Sequence, residues 1–151
     1  IQNADLKTST ADFLDYYTQI LVKLSKDEFT GLPDLAKSLK GEFEYFDDAS
    51  LSPEERKVWQ GIVAVVQSST QHLHHQTDIE SFRENFKSVS DAVIAMVKKI
   101  GSPLPTLNVM FCSMADAQWL QKEEVLSNPY YGASMLNCGE LKLTISSNVQ
   151  R

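Results

Sequence analysis

The chain has 151 residues, 42% of them hydrophobic and 23% charged, with a net charge of −6 and a sequence pI near 5.0. That length suits one domain with its own core, so residues 1–151 are read as a single unit. The 14 Lys and Arg residues are scattered rather than clustered, which excludes a nucleic-acid surface, and the longest apolar run, Gly61 to Val66, is far short of the roughly 18 to 20 residues of a transmembrane helix.

The chain opens on Ile1 rather than Met, which points to a signal or lipoprotein segment removed ahead of it. Ser9 or Thr10 can cap a first helix over residues 10–26, with Phe13, Tyr17, Ile20, Leu21 and Leu24 at helical spacing. Gly31-Leu32-Pro33 breaks it. A second helix is expected over 33–47, with Leu35, Leu39, Phe43 and Phe46 inward and Gly41 as its weak point.

The third helix, 53–76, starts at a capping box of Ser52 and Glu55 with Pro53 at the first helical position. Its apolar stripe reads Val58, Ile62, Val65, Val66, Ser69 and Leu73. Thr77 and Glu80 form another capping box for a fourth helix, 78–100, in which Ile79, Phe82, Phe86, Val89, Val93, Met96 and Ile100 step by threes and fours. Gly101, Pro103 and Pro105 end it. The period then changes to two: Thr106 to Phe111 and Glu140 to Ile145 read as a pair of strands. The fold class is thus mainly α, an antiparallel four-helix bundle carrying a small two-stranded unit over 106–145, with an irregular Cys/Met-rich segment between the strands.

That segment holds both cysteines and two of the four methionines. Strand alternation puts Met110, Cys112 and Met114 on one face, and Met135 and Cys138 stand three apart, on one side of a single helical turn. Pairing the strands would bring Cys112 and Cys138 together. Two cysteines without a CxxC motif fit either a disulfide or a metal site. Cys112, Met114, Met135 and Cys138 are therefore candidate ligands, soft donors that select Cu(I) over oxygen-seeking ions. Zn(II) is the rival, but it rarely takes methionine.

Projection of the third helix puts His72 beside its apolar stripe, with His75 one turn on. The pair is either an additional ligand set or a helix end at which histidines favour the C-terminal dipole. Trp119, Tyr130 and Tyr131 read as packing groups around a turn at Asn128-Pro129. No GxSxG, glycine-rich phosphate loop, HExxH or CxxCH motif occurs, and no enzymatic activity is expected.

The run Cys112-x-Met114-Ala115, Trp119-Leu120, Asn128-Pro129-Tyr130-Tyr131-Gly132 and Met135-Leu136-x-Cys138-Gly139, with Arg83-x-x-Phe86-x-x-Val89-Ser90 upstream, resembles a domain-of-unknown-function family of bacterial cell-envelope proteins. That family also occurs attached to periplasmic adaptors of copper and heavy-metal efflux pumps. Ser113 stands where the family usually has proline. The resemblance implies a periplasmic or lipid-anchored location and an efflux adaptor or another envelope protein as partner. Two functions follow as expectations: a module that binds Cu(I) and sequesters it or passes it on, or a metal-free interaction domain in which Cys112 and Cys138 form a structural disulfide.

Overall fold

A computed structural model describes residues 1 and 3–147. It is mainly helical, with four helices followed by a small sheet: α1 (Ala4–Ser25), α2 (Leu32–Gly41), α3 (Pro53–Thr70), α4 (Ile79–Ile100), β1 (Thr106–Cys112), β2 (Ala117–Gln121) and β3 (Glu140–Ser146). Of the expected bundle, four helices are present, α1 packed along α2 and α3 along α4. The sheet has three strands rather than two.

Helix boundaries follow local chemistry more closely than apolar spacing. α1 starts at Ala4, well ahead of Ser9, because the Asn3 side chain caps it by accepting from the Leu6 N–H at 2.9 Å. Thr10, one of the two expected caps, instead donates back to the Leu6 carbonyl, as Thr8 does to that of Ala4. α2 ends at Gly41 instead of Asp47, at a residue with little helical preference. The capping box of α3 forms as expected, with Ser52 N–H on Glu55 and Glu55 N–H on Ser52. Its far end is Thr70, not residue 76: Ser69 and Thr70 hydroxyls both turn back onto the Val66 carbonyl, and the chain passes into a short 3₁₀ turn, Leu73–His75. α4 is capped one residue later than expected, by Asp78 accepting from the Ser81 N–H, rather than by a Thr77–Glu80 box.

The buried side of α3 is rotated from the expected stripe. Trp59, Ile62, Val66 and Thr70 are buried, while Val58 and Val65 are 45% and 56% exposed. Trp59 lies on this buried side, edge-on against Phe43 and Phe46, and its indole brings a large apolar surface into the core. α4 keeps its predicted face, with Phe82, Phe86, Val89 and Val93 fully buried.

In the sheet β1 is central, antiparallel to both β2 and β3, in the order β2-β1-β3. The predicted pairing of β1 with β3 is present, with a bulge where Val109 faces Leu143 and Met110 faces Leu141. β2 escapes the period-two pattern because both of its faces are covered: Gln118 and Leu120 point toward the helices, where the Leu120 N–H reaches the Tyr17 hydroxyl at 3.1 Å and Gln118 bonds Asp91. On the other side lie Trp119 and Gln121, under the loop that follows. A strand buried on both faces does not alternate.

Candidate functional site

Cys112 is the last residue of β1 and faces Ala117 across the β1–β2 hairpin. Cys138 closes a turn, its N–H on the Met135 carbonyl at 3.0 Å, just before β3 begins. The pairing of β1 with β3 brings the two sulfurs to 3.5 Å from one another, as the strand reading required. They are free thiols, Cys112 buried and Cys138 half-buried, so the expected structural disulfide is absent and the pair is in contact without a bond. Gly139 allows this close approach. At its φ of +143° a Cβ would press on the Phe111 carbonyl and the Trp119 ring, so only glycine lets β3 start directly beside the end of β1.

The two thiols are unequal. Burial pushes the Cys112 thiol up, but donors aimed at its sulfur outweigh burial and hold it below the ordinary thiol range: the Ala115 N–H at 3.4 Å, then the Asn128 amide, the Cys138 thiol and the Met114 N–H. Cys138 moves the opposite way, raised first by its hydrogen bond to Cys112 and then by burial. Cys112 is therefore the more acidic thiol of the pair and Cys138 the less acidic one. The hairpin turn, residues 113–116, supplies the two N–H groups because Asp116 adopts a left-handed φ of +51°, curling the turn around the sulfur.

Asn128 is the organiser that spacing could not reveal. Fully buried, it donates to the Cys138 carbonyl at 2.7 Å and accepts from the Tyr130 and Tyr131 N–H groups. The turn expected at Asn128-Pro129 is thus present, but its side chain is tied to the thiol pair. Arg83 anchors the same loop from α4: its guanidinium donates to the carbonyls of Pro129 and Leu24 and pairs with Asp27 at 2.7 Å. Gly132 lies so close against that pair, at φ +60°, that any side chain there would collide with Asp27 and Arg83. Tyr130 and Trp119 stand edge to face in the floor, the packing role expected of them.

The other candidate ligands separate. Met114 falls beyond the end of β1, in the turn, and is 62% exposed instead of continuing the strand face. Met135 ends the short 3₁₀ turn Gly132–Met135 and is half-buried. Both are within the chain segments that hold the thiols. His72 and His75 are not: they lie at the end of α3, both exposed, in contact with each other. α4 stands between them and the thiols, turning Phe86 toward Tyr130 on one side and Asn85 and Ser88 toward a groove shared with His72 on the other.

Two thiolates can chelate a soft ion here without rearranging the backbone. With metal–sulfur bonds of 2.3 Å, a tetrahedral S–metal–S angle separates the sulfurs by about 3.8 Å, close to the 3.5 Å between Cys112 and Cys138. Among the described residues no group of three or more His, Cys, Asp or Glu side chains is arranged to hold a metal ion, so further protein donors to the pair would have to be thioethers.

No curated protein and no solved structure matches the chain. A family model does, over residues 14–103. The matched stretch takes in most of α1, all of α2, α3 and α4, and the Arg83 to Ser90 run, and it stops short of β1 and both cysteines. Its description names no activity, location or partner. The match spans well over half of the chain, and on it the chain belongs to the family described as Protein of unknown function (DUF3347).

Proposed function

We propose that this protein is a binding module, not a catalyst, that takes Cu(I) as cargo between Cys112 and Cys138, with Met114 and Met135 completing the donor set. The observation that carries the reading is the thiol pair itself: two unbonded sulfurs 3.5 Å apart, one of them ringed by N–H donors that favour its thiolate. Thiolate and thioether donors suit Cu(I). Zn(II) in a closed site wants four nitrogen or thiolate donors, a set that two cysteines and two methionines do not supply. Loading the pair displaces thiol protons to solvent, so affinity should rise with pH. The same reading makes the protein periplasmic or lipid-anchored in the cell envelope, with an efflux adaptor or another envelope protein receiving the metal.

The test is competition with a Cu(I) chelator under anaerobic reduction. Outer partners of a ligand typically cost 10- to 100-fold in affinity when lost, so Cys112→Ser and Cys138→Ser should each weaken binding by more than about 100-fold. Met114→Leu and Met135→Leu should cost less than about tenfold. Oxidation to the disulfide should abolish binding, because it consumes both thiolates. Equal copper retention by the wild type and the double cysteine variant ends the proposal and leaves a metal-free interaction domain.

A further inference from the structure

We infer that His72 and His75 form a second metal site, open to solvent and built from nitrogen donors, that takes a borderline divalent ion of the Zn(II) class independently of the thiol pair. The sequence Gln71-His72-Leu73-His74-His75-Gln76 leaves α3 and tightens into the 3₁₀ turn Leu73–His75. Residues three apart eclipse in that geometry, which sets the imidazoles of His72 and His75 side by side. Their Nδ1 atoms are 3.5 Å apart. That is long for an N–H···N hydrogen bond, whose usual span is about 2.7–3.2 Å. It falls within the separation of two nitrogens bound to one ion: with metal–nitrogen bonds of 2.0–2.1 Å and angles between tetrahedral and trigonal, the donors stand about 3.3–3.6 Å apart.

The turn is held rigidly enough to present the pair. Leu73 is fully buried between the two histidines, and the Gln76 amide donates to the His72 carbonyl at 3.0 Å. The His74 ring lies against that of His75, tilted by 46° with ring centroids 3.9 Å apart. Lys37 and Lys40 on α2 are charged neighbours of the turn. They oppose a cation electrostatically, so binding must come from coordination rather than from field. Among the described residues no third imidazole, thiol or carboxylate converges with the pair. Water would therefore complete the coordination, and exchange should be rapid, unlike at a closed structural zinc site.

The experiment uses the full chain carrying Cys112→Ser and Cys138→Ser, so that no thiolate remains, and titrates Zn(II) by calorimetry alongside NMR of the histidine rings. One equivalent should bind, shifting the His72 and His75 resonances, and His72→Ala and His75→Ala should each weaken binding at least about tenfold. Metal-free thermal unfolding of these histidine variants, which differ from that parent only at exposed side chains, should stay at the parent's midpoint. Absence of saturable binding, or undiminished binding by the double alanine variant, overturns the site. Cu(I) affinity measured on the same histidine variants with both cysteines in place should be unchanged, so this proposal and the thiol reading fail separately.

Discussion

The helices and the C-terminal unit are held together by different physics. The helical part closes around aromatic and branched side chains: Phe13 stacks on Phe43, Tyr17 on Phe86, and Phe43 meets the edge of Trp59. The C-terminal unit has a long irregular loop between β2 and β3, and its backbone groups are satisfied by buried amides. Asn108 donates to the carbonyls of Lys122 and Glu123, Gln121 to those of Glu123 and Val125, and Asn128 to that of Cys138. In one region stability is spread over many interchangeable contacts. In the other it rests on a few side chains, each with a fixed set of partners, and those are the side chains that position the thiols.

The sharpest way to break the comparison is to remove a side chain that serves both regions. Phe86 is fully buried, stacks on Tyr17 and lies 6.2 Å from the Tyr130 ring. Phe86→Ala should cost about 3–5 kcal/mol, measured by urea unfolding. Amide exchange should accelerate across α4 and the sheet alike, since the cavity sits between them. A loss confined to one region would mean that the two unfold independently.

A smaller and more local effect is expected at Asn128. Asn128→Ala leaves the Cys138 carbonyl and the Tyr130 and Tyr131 N–H groups without their partner, an expected loss of about 1–3 kcal/mol. Amide exchange should rise through the loop between β2 and β3 while α4 keeps its protection. The variant also removes one donor to the Cys112 sulfur, so the thiolate, followed by its ultraviolet absorbance, should form at higher pH than in the wild type. Unchanged thiol titration would remove Asn128 from the site and leave it a purely structural residue.

This division decides how much could be read from the sequence. The face of α4 was legible because apolar burial imposes the helical period on Phe82, Phe86, Val89 and Val93. The juxtaposition of Cys112 and Cys138 was legible too, because pairing β1 with β3 turns sequence separation into contact. Asn108, Gln121 and Asn128 were not, for a buried amide has no periodic signature and its partners are carbonyls that every residue carries. Met114 misled for a related reason: alternation predicts its direction only while the strand lasts, and the hairpin turn starts at Ser113. The rotation of α3 was missed because the apolar spacing through Val58 and Val65 left Trp59 out of the stripe.

The mildest perturbation acts on the link between the two regions. Asp27, just beyond α1, accepts from Arg83 at 2.7 Å and from the Ala133 N–H at 3.1 Å, tying α1, α4 and the loop before β3 at one point. The Arg83 bond first, and then the Ala133 N–H, hold its carboxyl below the usual carboxylate value against a small opposing effect of burial. A folded-state pKa below the unfolded one makes the contribution complete above the unfolded value of about 3.9, and it is lost as pH falls through the lower folded value. The Asp27 side chain is 45% exposed, so solvent screening limits the pair to under about 1 kcal/mol. Asp27→Asn should accordingly cost about 0.5–1 kcal/mol at neutral pH. Asparagine tolerates the left-handed φ of +59° at this position, and Arg83 keeps its bonds to the Leu24 and Pro129 carbonyls, so the fold should persist. In an acid series the gap between wild type and variant should narrow once the pH drops below the ordinary carboxylate range, because protonated Asp27 resembles the amide. A gap that stays constant down to the lowest pH at which both proteins fold would assign the loss to the shape of the side chain rather than its charge, and the two regions would then be joined by packing alone.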